Sequence, residues 1–372
     1  MTRLAILFAC VVVSVAPSRA EDDPFPRVTA KVEDWMARGY YKGAGLWIAK
    51  GDRVLYEKCF GECTPETEFF IASAGKWLAS ATLMSVVDDG RLSLDDPAAK
   101  WLPEFREDPK GAATVRQMLS HTSGYPGYQP EDKPRDDYQT LAESVAHLMP
   151  LPPVTKPGER FDYGGLAMQA AGRMAEIATG RDWEKLFQER IAKPLGMERT
   201  RFTPVDSGGG HSPMLGGGAV STLRDYSKFL TMIAERGSFE GKRVLSEGAV
   251  SEMEADQLRG AFVKQGEFIE RIRGAKHPAI YGLGLWREEL DTEGKATLVS
   301  SPSWAGAYPW VDRRAGVRGV FITHVDVDSA SVRNDRFSGF YSSPVIAMMV
   351  REGVATGAMK KGDKAAIDYR GK

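Results

Sequence analysis

Ser73-Ala74-Gly75-Lys76 is the stretch whose residue types and spacing could do chemistry. If the segment is helical, residues i and i+3 lie one turn apart on the same face. The lysine amine can then reach the serine hydroxyl. A serine is a weak nucleophile until a neighbouring base takes its proton, and a lysine is such a base only once it has lost its own. The spacing alone is a weak signal, because two common residues at one interval recur by chance roughly once in a chain this long. Its plain alternative is a serine near a helix start and an exposed lysine. Other chemistries have less support. No Gly-x-Ser-x-Gly occurs, so an α/β-hydrolase nucleophile turn is not supported. The 5 histidines (His121, His147, His211, His277 and His324) are scattered, with no His-Glu-x-x-His. His121 reads as a loop-structuring residue. Gly208–Gly210 and Gly216–Gly218 lack a following Gly-Lys-Ser/Thr and read as a flexible segment near a cleft rather than a phosphate loop. Asp326 and Asp328 read as a solvated turn.

The elements that must position Ser73 and Lys76 follow from periodicity. Val28, Val32, Trp35 and Met36 fall on one face and predict a helix over 27–39. Runs 43–49 and 54–60 flank Lys50-Gly51-Asp52 and predict a hairpin. Residues 77–89 predict a helix closed by Gly90. Short helical pieces follow near 92–102 and 115–119, then a turn-rich loop at 120–127. Further helices are expected over 138–148, up to Thr179, from Asp182 to Pro194, and from Ser221 or Thr222 to about Arg236. Strand patterns return at 281–286, 296–301, 307–311 and 317–324, and Pro344 opens a last helix to about Val350. Strands at both ends with helices between them predict an α+β fold. An antiparallel sheet is built from both chain ends, with flanking helices and an inserted, mainly helical domain. Ser73 lies where the chain leaves the sheet for that insert, and clefts between such units are favoured binding sites.

Composition narrows the class. Of 372 residues, 42 % are hydrophobic and 27 % charged, as expected of a globular chain with a sizeable core. A net charge of −1 with no basic stripe argues against a nucleic-acid partner. Residues 1–20 carry Arg3, the apolar run Leu4–Val15 and small residues at Ser18-Arg19-Ala20, a signal-peptide pattern. Export to the periplasm or the extracellular space is therefore expected, with no membrane span in the mature chain. Cys10 leaves with that segment. Cys59 and Cys63 form a small disulfide loop or stay as two thiols, and no Cys/His cluster suggests zinc.

The ordered set Ser73-Ala74-Gly75-Lys76, Ser120-His121-Thr122-Ser123-Gly124, Pro157-Gly158-x-x-Phe161-x-Tyr163, Gly217-Gly218-Ala219-Val220-Ser221-Thr222 and Tyr281-Gly282-Leu283-Gly284 resembles the serine β-lactamase-like hydrolases. The resemblance spans about residues 27–350. It is strongest to the class C-like branch, which includes D,D-peptidase-like proteins and carboxylesterases of the β-lactamase fold. It implies one β-lactamase-related domain over 24–355. Its sheet subdomain covers about 24–70 and 275–355, its helical subdomain about 73–270, and a polar tail follows over 356–372. It implies that Tyr163 is the tyrosine of the family's Tyr-x-Asn, a phenolate or hydrogen-bonded phenol that relays the serine proton. Gly165 stands where the family has Asn, a departure that removes the amide touching an acyl-amide substrate. The family's Lys/His-x-Gly triplet is matched by Trp304-Ala305-Gly306, and some esterases of the branch carry Trp-x-Gly. The implied oxyanion hole is the backbone N–H of Ser73 and of Ala307.

A tryptophan offers apolar area and one N–H donor but no ion pair. The expected activity is therefore that of a serine hydrolase acting through an acyl-enzyme, a carboxylesterase on small uncharged esters. The alternatives are β-lactamase or D,D-peptidase-type activity on an amide, or a catalytically silent ligand-binding member. No metal and no cofactor is called for.

Overall fold

The structure is a computed structural model in which residues 23–129, 140–202 and 214–356 are described. The expected signal peptide and nearly all of the polar tail lie outside them. The strands are β1 (Tyr41–Lys50), β2 (Arg53–Gly61), β3 (Phe69–Phe70), β4 (Arg201–Phe202), β5 (Ala219–Ser221), β6 (Ser238–Phe239), β7 (Lys242–Arg243), β8 (Trp286–Leu290), β9 (Ala296–Ser300), β10 (Tyr308–Asp312) and β11 (Val317–Val325). The main sheet has the order β2-β1-β11-β10-β9-β8, antiparallel at every pair. The first hairpin and the last strand are thus neighbours, with Leu46 opposite Phe321. Gly51 closes the β1–β2 turn at φ +53°, a value that glycine takes without strain.

Both faces of this sheet are covered, so β1 and β11 read as apolar runs rather than as alternating strands. Alternate residues still point to opposite faces. Leu46, Ile48 and Phe321 pack with Val28, Val32, Trp35, Ile346 and Val350 under the helices Pro26–Ala37 and Val345–Ala355. Trp47, Ala49, Val320 and Ile322 join the larger core, which the Gly75–Asp88 and Leu223–Ala234 helices share. The Gly75–Asp88 helix is buried on every side from Gly75 to Val86, as expected of an element at the centre of a large protein.

The helical middle matches the periodicity, with Leu166–Thr179 ended by Gly180 at φ +66°. The side chains of Asp182 and Thr222 cap the helices that follow them. Three expectations are corrected. The Tyr281–Trp286 run is not a strand: it folds back so that Tyr281 bridges Trp286, and β8 begins only there. Gly284, at φ +71°, makes that turn, and a Cβ on it would lie 2.5 Å from the Lys76 carbonyl oxygen. The helix expected to stop at Pro194 instead passes through a π turn, Gln188–Ala192, and ends at Gly196. Short strands also occur mid-chain, in a β3-β5-β4 sheet and a β6–β7 hairpin. Cys59 and Cys63 are both thiols. No helix among the described residues is long and apolar enough to cross a membrane.

Candidate active site

The nucleophile candidate is held between two structures. β3 pairs with β5, Phe70 opposite Val220, and Ile71 N–H donates to Ala219 O at 3.0 Å. The chain then turns sharply: Ala72 takes φ +44°, unusual for a residue with a Cβ. A single 3-10 turn, Ala72–Ala74, carries Ser73 into the Gly75–Asp88 helix. A Cβ on Gly75 would lie 2.9 Å from the Ala219 methyl, so this glycine lets the helix start press on β5. Tyr226 Oη fastens the turn by donating to Ala74 O at 2.7 Å.

Ser73 is 8 % exposed and Lys76 1 % exposed. Lys76 Nζ lies 3.1 Å from Ser73 Oγ, the contact that the i, i+3 spacing predicts. Its other partner is the carbonyl of Gly216, to which Nζ donates a short hydrogen bond. No carboxylate neutralises the amine among the described residues, and burial lowers its pKa to about 7. The Gly216–Gly218 stretch, expected to be flexible, is a buried turn in which the Gly217 and Gly218 N–H groups donate to Met214 O. A Cβ on Gly216 would lie 2.6 Å from Gly165 Cα, so backbone packs on backbone there. Gly208–Gly210 lies outside the described residues.

Tyr163 approaches from the second side. Its ring centroid is 4.7 Å from Lys76 Nζ, and its hydroxyl faces Ser73. Burial pushes the phenol well above its usual range, an effect that the nearby Ser73 hydroxyl offsets only in part. The tyrosine therefore stays a protonated phenol where the lysine loses its proton, and of the two expected forms the phenol fits this site. Gly165 caps the Leu166–Thr179 helix without a side-chain cap bond. Its N–H donates to Gly127 O at 2.8 Å, and a Cβ on Gly164 would lie 2.2 Å from that same oxygen.

The third side is the turn before β10. Gly306 takes φ +107°, and a Cβ there would lie 2.7 Å from Thr323 Cγ2 and 3.1 Å from Tyr41 Cε1. Among the described residues, neither the Ser73 N–H nor the Ala307 N–H is paired with a backbone carbonyl of the surrounding turns and loops. Trp304 is 50 % exposed, with its ring 6.1 Å from Phe70 and 5.7 Å from His324. Trp286 and Phe340 stand 5.3 and 6.3 Å from the Tyr163 ring. The walls on these sides are aromatic.

Sequence reasoning missed three contributors. Ser301 Oγ donates to Ser73 O at 3.1 Å. Gly216 supplies a carbonyl to Lys76. His121 is more than a loop residue, because its ring packs 4.7 Å from that of Tyr163. None of the three had a local signal beyond the position of His121 within a turn-rich motif.

The Beta-lactamase family profile matches residues 28–338, most of the chain. The chain belongs to the beta-lactamase family. That family covers esterases, β-lactamases and penicillin-binding-like proteins, and its members are in general serine hydrolases with an acyl-enzyme mechanism. Among solved structures, this beta-lactamase family chain is similar to a candidate beta-lactamase from Bacteroides dorei. The two are 48 % identical, with 89 % of this chain and 99 % of that one covered at a TM-score of 0.85. EstCE1, a hydrolase with promiscuous acyltransferase activity, is 19 % identical at a TM-score of 0.66 over 89 % and 98 % of the two chains. That likeness is one of fold. Protein flp of Staphylococcus aureus is 26 % identical over 206 residues, 52 % of this chain and 41 % of flp. The match thus spans less than half of that relative.

Proposed function

We propose that this chain is a serine hydrolase acting through an acyl-enzyme on small uncharged esters. The observation that carries the reading is the 3.1 Å contact between Ser73 Oγ and a lysine whose pKa burial lowers to about 7. A neutral amine has two N–H groups and one lone pair. With one N–H given to Gly216 O, the lone pair is free for the Ser73 proton. Ser73 attacks the carbonyl carbon, and the oxyanion forms between the Ser73 and Ala307 amides. Tyr163, still protonated, gives its proton to the departing alcohol, and Lys76 restores it. Water then hydrolyses the ester to Ser73. No cofactor enters these steps. Trp304 and Phe70 offer an apolar, uncharged wall, which favours a neutral ester over a substrate bearing a carboxylate. The proposal includes export directed by residues 1–20.

A second reading, β-lactam hydrolysis, is favoured by the likeness to the Bacteroides dorei protein. Initial rates on p-nitrophenyl butyrate and on a chromogenic cephalosporin, for the protein and for Ser73→Ala, decide between them. Ester turnover lost in Ser73→Ala with little cephalosporin turnover supports the esterase. Dominant cephalosporin turnover supports the second reading. No Ser73-dependent rate on either substrate supports a silent ligand-binding member.

A further inference from the structure

His121 is 3 % exposed and sits at φ +58°, a left-handed conformation uncommon for a residue with a side chain. Such positions are strained and persist where surrounding structure imposes them, often at functional sites. Here the surroundings are the Phe161 ring, 6.0 Å away, and two phenols. Nε2 of His121 lies 3.1 Å from Tyr281 Oη, and the two ring centroids are 4.9 Å apart. On its other side the imidazole meets the Tyr163 ring at 4.7 Å, edge to face. Tyr281 and Tyr163 are 6.1 Å apart, also edge to face, so the three rings form one block. The backbone repeats the link: Asp162 N–H donates to His121 O at 2.8 Å, one residue before Tyr163. Burial and the nearby Lys76 both hold the imidazole neutral, so it adds no second cation beside the lysine. Tyr281 is fully buried and its phenol stays protonated.

We propose that His121, oriented by Tyr281, is the positioning residue that sets the Tyr163 phenol for protonation of the leaving alcohol. This rests on the acyl-enzyme reading above. In the acylation step, a bond forms from Ser73 Oγ to the carbonyl carbon and the bond from that carbon to the alcohol oxygen breaks. The Ser73 proton passes to Lys76, the Tyr163 proton passes to the leaving oxygen, and Lys76 returns its proton to the phenolate. Misorienting Tyr163 should therefore penalise the leaving group rather than the nucleophile.

The test compares two esters of one acid. p-Nitrophenolate leaves as a stable anion, whereas ethoxide requires a proton as it leaves. Tyr281→Phe removes one oxygen and keeps the ring. His121→Asn removes the imidazole and tolerates the left-handed backbone. Both variants should lose about tenfold or more in kcat/KM on ethyl butyrate, and less than about threefold on p-nitrophenyl butyrate, within the range of general acid catalysis. If His121→Asn fails to fold, Tyr281→Phe alone decides. Equal losses on the two esters, or no loss on either, would overturn the positioning role. Ser73→Ala is the control: if wild-type turnover of both esters survives in it, the acyl-enzyme reading fails as well, and if turnover is lost, only the positioning role is at stake.

Discussion

Ser301 and Ser73, 228 positions apart, are joined by a hydrogen bond: Ser301 Oγ donates to the Ser73 carbonyl at 3.1 Å. Ser301 also pairs its own N–H with Pro309 O, just past the Ala307 amide. Ser301 thus ties the turn that holds Ser73, through its side chain, to β10, through its backbone, and the proposed second oxyanion donor, Ala307, lies just before that strand. Ser301→Ala should lower kcat about tenfold, since small misplacements of reacting groups are costly. It should cost only about 1 kcal/mol of stability, the ordinary worth of one hydrogen bond. Steady-state kinetics beside thermal melts would check this, and a large loss of stability with kcat intact would contradict it.

The pH profile should follow Lys76. In the proposed mechanism the reactive form is the neutral amine, so kcat/KM should rise as pH passes through about 7 and then level off. Tyr163 lies well above its usual range and should contribute no limb near neutrality. Lys76→Ala should lose on the order of 10²–10⁴ in kcat, the usual worth of a positioned base. Initial rates on p-nitrophenyl butyrate across the neutral range test both statements.

Stability should carry the same signature. In the unfolded chain Lys76 has its ordinary pKa of 10.5; in the folded chain it is about 7. Between those values the unfolded state binds more protons, so this group's contribution to stability improves as pH rises. Below about 7 the folded protein holds a buried charge at full cost. Lys76→Met should therefore raise Tm by several degrees just below neutrality, where one pKa unit is worth about 1.4 kcal/mol. The gain should shrink steadily as pH climbs towards the ordinary lysine value. Thermal melts at several pH values check the sign, and a gain that grows with pH would refute it.

Gly306 should tolerate no side chain. At φ +107°, a Cβ on this residue would meet Thr323 Cγ2 at only 2.7 Å, so Gly306→Ala must shift the turn carrying Ala307. The backbone strain alone is of order 1–3 kcal/mol. Loss of one oxyanion donor typically costs ~10²–10³ in turnover. A Gly306→Ala protein that folds and keeps its kcat would show that Ala307 N–H is not in the oxyanion hole.

The half-exposed Trp304 should be replaceable with little effect on stability. Trp304→Lys would place a cation in the aromatic wall. It should lower kcat/KM on p-nitrophenyl butyrate and improve KM for a cephalosporin, whose carboxylate it can pair with. Kinetics on the two substrates read the shift directly.

Much of this site was legible because its chemistry is local. Ser73 and Lys76 are one turn apart, whereas Tyr163 was named only through the resemblance carried by the ordered motifs, its own after Pro157-Gly158 among them. The β1–β2 hairpin and the Asp182 and Thr222 caps were likewise written in short stretches. What sequence could not convey is pairing across distance. Gly216 and Lys76 are 140 positions apart, and a carbonyl carries no residue-type signal. Glycine at 216 suggested flexibility, yet the missing side chains at 165 and 216 let two buried turns touch. The alternation of Tyr281, Leu283 and Leu285 imitated a strand because a tight glycine turn buries the same residues. The helix runs through a π turn at 188–192 and takes Pro194 into the short Lys193–Leu195 turn that follows, where a helix end was expected.

The decisive measurement is the intact mass of the protein, acid-quenched while it turns over p-nitrophenyl butyrate. An acyl-enzyme on Ser73 predicts one added butyryl group, mapped to the peptide containing Ser73 and absent from Ser73→Ala. Turnover with no adduct under conditions where hydrolysis of the acyl-enzyme is slow, or an adduct on another residue, would contradict it.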